Sequence, residues 1–227
     1  TPALGELPAN AAGGTVVRLN PREIGSATWD DRLSVAVTSE IDARLAWIRI
    51  ETADVPTLYL AGDSTVADQP SASDGSWGQF LPRYFEPDIA VANHAESGES
   101  LKSFVTSHRL DKLLSGLRAG DWVMIQFGHN DQKSQWPQTF ATADTTYGSW
   151  LRTYIAEVRS RGATPLLVTS PERRNFDTQG RIRPTLAEYA GAMRAVAREQ
   201  GVALLDLNAS SIRFYETLGP AIAPSAF

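Results

Sequence analysis

The sequence contains no cysteine. That removes a thiol nucleophile, a disulfide framework and a thiolate metal site together. Histidine is nearly as scarce: the three are His94, His108 and His129, and no spacing of zinc ligands is present. Positive charge is in deficit. A net charge of −5 leaves no basic surface of the kind that holds nucleic acid. No apolar run approaches the roughly 20 residues that span a bilayer, so no membrane partner is read. A glycine-rich phosphate loop ending in Lys-Ser/Thr, a dinucleotide fingerprint and internal repeats are all missing. No cofactor and no metal is expected.

What is present is ordinary in bulk and informative in order. The 227 residues suffice for one sizeable core with an appendage. Residues 1–55 alternate or run apolar at strand length in Thr15–Leu19, Leu33–Val37 and Leu45–Ile50, with Pro21, Gly25 and Asp42 as punctuation. They read as a β-rich segment, part of a β-sandwich. Thr52–Pro56 reads as a linker and 56–227 as a second domain. There, apolar strands alternate with helical patterns: strands at Leu58–Ala61, Ile89–Ala92, Asp121–Phe127, Thr164–Thr169 and Val202–Asp206. Helices are expected from Ser100 to about Ser115, from Trp150 to Arg161, from Pro184 to Gln200 and from Asn208 to Leu218. Strand–helix alternation argues an α/β fold, a flavodoxin-like three-layer sandwich around a five-stranded parallel sheet, with order 2-1-3-4-5 as the default.

Ligands of such sheets bind beyond the carboxyl ends of the strands. Three loops leave consecutive strands at that edge: Gly62-Asp63-Ser64, Asn93–Gly98 and Gly128-His129-Asn130-Asp131. Ser64 offers a hydroxyl nucleophile. Gly98 offers a backbone N–H that no Cβ obstructs. Asn130 offers an amide donor. Acyl transfer needs donors for the oxyanion of its tetrahedral intermediate, each typically supplying ~3 kcal/mol.

Gly62–Val66, Trp77-Gly78-Gln79, Asn93–Gly98 and Gln126–Asp131, in this order and spacing, resemble the SGNH (GDSL-type) hydrolases. Their wording is similar to bacterial rhamnogalacturonan-acetylesterase-like enzymes, over about residues 57–220. The resemblance implies a serine esterase that strips O-acetyl groups from pectic or related plant polysaccharide through an acetyl-enzyme on Ser64. It also implies an oxyanion hole of the Ser64 and Gly98 N–H groups and the Asn130 side chain. Its polymeric substrate points to an extracellular setting. The alternatives are a non-catalytic carbohydrate-binding relative and a lipase or thioesterase of the same fold. Polar loops dotted with tryptophan disfavour the latter.

One departure matters. The family's base is a histidine in an Asp-x-x-His block after the fifth strand and its helix, and here no histidine follows His129. Serine needs an adjacent base. The chain therefore reads as a fragment whose Asp and His lie outside these residues. A degenerate relative, or His94 or His129 as an unusual base, are the competing readings. His129 and Trp77 are expected to line the pocket. Asp131 either touches substrate hydroxyls or caps the next turn, and Asp63 is expected to tie down its loop. Trp122 is read as core and Trp136 as a candidate for stacking on sugar. Arg173 and Arg174 follow the fourth strand at the same edge, where guanidinium groups suit galacturonate carboxylates. A solvated basic loop is the alternative for them.

Overall fold

Each of the five apolar runs read within residues 56–227 forms a strand, and all five are parallel. The computed structural model describes residues 54–69, 75–86 and 88–226. The β-rich reading of the first 55 residues lies almost wholly outside these. The strands are β1 (Thr57–Gly62), β2 (Ala90–Asn93), β3 (Trp122–Gln126), β4 (Thr164–Val168) and β5 (Ala203–Leu205). Their order is β2-β1-β3-β4-β5, as the alternation predicts.

The pleat of β1 sorts its side chains to two faces. Tyr59 and Ala61 join Val123, Ile125 and Leu167 on one face. Over it lie α2 (Leu101–Thr106), α3 (Arg109–Gly116), α4 (Gly148–Ser160) and α5 (Ala187–Gln200). These bury Phe104, Leu113, Leu151, Ile155 and Met193. Leu58, Leu60, Met124 and Val168 face the other way, against Val66, Ala67, Trp77 of α1 (Trp77–Phe80) and Leu207 of α6 (Leu207–Ile222). A strand buried on both faces reads as an unbroken apolar run, which is why β1 and β3 were visible in the sequence.

Three helix boundaries and one burial are among the readings that differ from expectation. The helix read from Ser100 to Ser115 is two helices, broken at His108, whose φ is 60°. Hydroxyls compete with the backbone at that point: Thr106 Oγ1 and Ser107 Oγ both donate to the Ser103 carbonyl, at 3.3 and 2.7 Å. Helix α5 starts at Ala187, because the Glu172 carboxylate accepts from Leu186 N at 3.0 Å and from Thr185 Oγ1 at 2.6 Å, holding residues 184–186 out of the helix. It ends at Gly201 (φ 59°) as read. Helix α4 starts earlier, after one π turn at Ala143–Tyr147. Trp122 is not core. It opens β3 at the amino edge of the sheet and is 46% exposed.

Candidate active site

Ser64 sits in the first turn beyond β1. Val66 N and Ala67 N both donate to the Asp63 carbonyl at 2.9 Å, closing the turn. Asp63 is fully buried, and its Oδ1 accepts from Thr65 N at 2.9 Å and Thr65 Oγ1 at 2.8 Å. It ties down the loop, as read from the sequence. The turn is clasped from outside as well. The Val66 carbonyl accepts from Asn93 Nδ2 at 2.8 Å and from Ser76 Oγ at 3.0 Å, and Gln69 Nε2 donates to the Ser64 carbonyl at 2.6 Å. Gly78 of α1 lies so close beneath that an added Cβ would stand 2.2 Å from the Val66 carbonyl oxygen. Only glycine lets that helix pack on the turn.

The three loops are joined to one another. Glu96 N donates to the Gly62 carbonyl at 3.1 Å, laying the second loop beside the first. Asn130 Nδ2 donates to the Glu99 carbonyl at 2.8 Å, fastening the third to the second. Gln126, at the end of β3 and fully buried, accepts from Trp77 Nε1 at 2.8 Å and Thr65 Oγ1 at 3.0 Å, and donates to Ser170 Oγ at 3.3 Å. Sequence reasoning gave Gln126 no role. Its signal was an amide closing an otherwise apolar strand, where a buried polar group must find partners.

The donors expected for an oxyanion are open. Among the described residues, the N–H groups of Ser64 and Gly98 donate to no protein acceptor, and no hydrogen bond engages Ser64 Oγ. Gly98 has a φ of +87°, and nothing lies within 4 Å of where its Cβ would be. The Asn130 amide carries two N–H groups. One holds Glu99, and Lys133 Nζ donates to its Oδ1 at 2.8 Å, so its rotamer is fixed from both ends.

A cleft of about 420 Å³ opens beside Ser64. Trp77 and His129 line it, as expected of them, with Pro171, Glu172, Arg174 and Phe214. His129 Nε2 donates to the Pro171 carbonyl at 2.8 Å, so this imidazole spends that nitrogen on the cleft wall. His108 is exposed and pairs with Asp111 at 2.8 Å, and the His94 ring packs 5.6 Å from that of Tyr59. Glu172 is 3% exposed. Burial pushes its carboxyl up, but hydrogen bonds from Thr185, Arg173 N, Leu186 N and Asn208 outweigh that and hold it below the usual range. The cleft wall thus keeps an anion with its acceptor sites satisfied.

Asp131 is not brought to the cleft. Its carboxylate is wholly enclosed and accepts the first N–H of α2, Leu101 N, at 3.0 Å. The cap it makes is on α2, 30 residues earlier in the chain, and not on the next turn as read. Burial, with Asp63 nearby, pushes its carboxyl up to about 8. Glu96 and Glu99 do not face each other across a groove, since both pair with Arg109 at 3.2 Å. Trp136 is exposed, with Lys133 Nζ 4.5 Å from its ring centre, and is not part of the Ser64 cleft.

Comparison with known proteins agrees with this arrangement. Residues 60–224 match the profile of the GDSL-like lipase/acylhydrolase family. The rhamnogalacturonan acetylesterase RhgT of Bacillus subtilis is 42% identical over 165 residues, covering 72% of this chain and 69% of that protein. The rhamnogalacturonan acetylesterase of Emericella nidulans is 28% identical over 182 residues, covering 72% of this chain and 71% of that one. Among solved structures, YxiM of Bacillus subtilis superposes with a TM-score of 0.69 at 27% identity, over 77% of this chain and about half (49%) of that one. The acetylxylan esterase Axe2 of Geobacillus stearothermophilus shares the fold, with a TM-score of 0.56 at 21% identity over 73% of this chain and 82% of that one. A serine in a clasped turn, three loops joined at the carboxyl edge of a 2-1-3-4-5 sheet, and a match over most of its length place this chain in the GDSL-like lipase/acylhydrolase family.

Proposed function

We propose that the chain is a serine esterase that removes O-acetyl groups from acetylated pectic polysaccharide of the rhamnogalacturonan type. The carrying observation is the pairing of a Ser64 hydroxyl with N–H groups on Ser64 and Gly98, all unengaged among the described residues, in loops tied to each other and to Asn130. The 42% and 39% identity to two Bacillus proteins named as established or probable rhamnogalacturonan acetylesterases supports the substrate class.

The chemistry runs in two halves. Ser64 Oγ attacks the acetyl carbonyl and loses its proton to a base. The carbonyl oxygen becomes an oxyanion held by the Ser64 and Gly98 N–H groups and the second N–H of Asn130. Collapse breaks the bond to the sugar oxygen, which takes up that proton and departs as a hydroxyl, leaving an acetyl-enzyme. Water, activated by the same base, then releases acetate and restores the serine. None of the three imidazoles hydrogen-bonds Ser64 Oγ among the described residues. Ser64→Ala is expected to lower acetate release from acetylated rhamnogalacturonan by at least about 10³-fold, with the fold intact by circular dichroism. Release at the wild-type rate would refute the assignment.

A further inference from the structure

We propose that Lys133 is a positioning residue for the oxyanion hole: its ammonium, held against the ring of Trp136, orients and polarises the Asn130 amide, so that the N–H left for the oxyanion is a stronger donor. Lys133 matters to catalysis only if Asn130 serves the oxyanion, so this role rests on the esterase reading.

The two residues share one turn of the loop after β3. Lys133 N donates to the Asn130 carbonyl at 3.1 Å and closes that turn. Lys133 Nζ donates to Asn130 Oδ1 at 2.8 Å, and Asn130 Nδ2 donates to the Glu99 carbonyl at 2.8 Å. An ammonium only donates and a carbonyl oxygen only accepts. These partners therefore decide which end of the amide is oxygen, and the second N–H is fixed along with the first.

The ammonium is itself held. Trp136 N donates to the Lys133 carbonyl at 2.9 Å, and the Trp136 ring centre lies 4.5 Å from Nζ. A cation at that distance is attracted by the quadrupole of the ring. Among the described residues no carboxylate forms an ion pair with Lys133, in contrast to Arg109, Arg152 and Arg194. A neutral ring keeps the charge in place without cancelling it, as a carboxylate would. Asn130 is 4% exposed, so water screens little of that charge at the amide. A charge-assisted hydrogen bond to an amide oxygen draws electron density from its nitrogen, and hydrogen bonds in a chain strengthen one another. The acetyl oxygen gains negative charge only on the way to the tetrahedral intermediate. A stronger donor there raises kcat and leaves KM nearly as it was. Trp136, which lines no part of the Ser64 cleft, thereby has a role other than stacking on sugar.

The test is steady-state kinetics of the full-length protein on acetylated rhamnogalacturonan and on p-nitrophenyl acetate. Lys133→Met keeps the apolar stem and should lower kcat roughly tenfold on both, with KM little changed, a smaller loss than the roughly 10²–10³-fold of removing an oxyanion donor outright. In an Asn130→Ala background the same change should cost less than about twofold, because the two residues act as a unit. Lys133→Cys should lose as much as Lys133→Met and regain kcat when alkylated with 2-bromoethylamine, which rebuilds an ammonium at nearly the original length. Trp136→Leu, a change at an exposed ring, should lower kcat roughly threefold on both substrates by releasing the ammonium. It and the alkylated protein decide the matter if Lys133→Met fails to fold. A wild-type kcat in Lys133→Met, full additivity with Asn130→Ala, or no recovery on alkylation would overturn the proposal. So would a Trp136→Leu loss confined to KM on the polysaccharide, the mark of a sugar platform. Ser64→Ala keeps the two claims apart. Activity retained in that variant sinks the esterase reading, whereas activity abolished by Ser64→Ala and untouched by Lys133→Met sinks the role of Lys133 alone.

Discussion

Asn130 and Asp131 are neighbours with opposite tasks. Asn130 spends one amide N–H on the Glu99 carbonyl, and in the proposed reaction the other serves the oxyanion. Asn130→Ala is expected to cut kcat on an acetylated substrate by roughly 10²–10³-fold with KM little changed, the usual cost of one oxyanion donor. Steady-state kinetics check it. Asp131 is fully buried. Its carboxyl is pushed up to about 8, first by burial and then by Asp63, whereas in the unfolded chain it titrates near about 4. Between those values the folded protein holds a proton that the unfolded one has lost, so this group makes stability fall as pH rises from about 4 to about 8 and level off above. Asp131→Asn keeps an acceptor for Leu101 N and removes the titration. Melting curves from pH 5 to pH 8 should show the variant gaining on the wild type as pH rises. A constant difference would mean that Asp131 does not titrate in that window.

The elements that hold the site do so through close packing of small residues and through caps. Gly78 brings α1 against the turn that carries Ser64, where a methyl group would stand 2.2 Å from the Val66 carbonyl oxygen. Gly78→Ala should therefore cost about 1–3 kcal/mol in urea unfolding and lower activity with it, because the turn must shift to admit the methyl. Ser100 caps α2: its Oγ accepts from Ser103 N at 3.1 Å, and Ser103 Oγ accepts from Ser100 N at 2.8 Å. Ser100→Ala is expected to cost about 1 kcal/mol. That cap was legible, since a serine before an apolar-periodic run is a start signal. The break at His108 was not, because it arises where side-chain hydroxyls compete locally with a pattern that still has helical period. The delayed start of α5 was illegible for another reason: the group that sets it, the Glu172 carboxylate, is a buried acid from another loop.

At the scale of the molecule, strand order follows from right-handed crossovers between parallel strands, so the sheet could be read once the strands were found. The convergence of the loops after β1, β2 and β3 then follows, because those strands are neighbours in the sheet. What no spacing could give was how the loops lock together. Gln126, Asn93 and Arg109 do that by contacts spanning up to 63 residues of sequence in the case of Gln126 with Asp63. The fold thus turns a polar residue at each strand end into one rigid rim around a single hydroxyl. The most direct measurement is to mix the protein with an acetylated substrate, quench within the first turnovers in acid, and map the modified peptide by mass spectrometry. The expected result is one acetyl group on the peptide containing Ser64, and on Ser64 itself when that peptide is fragmented. Acetate release with no acylated peptide, or with the acetyl group on any other residue, would contradict it.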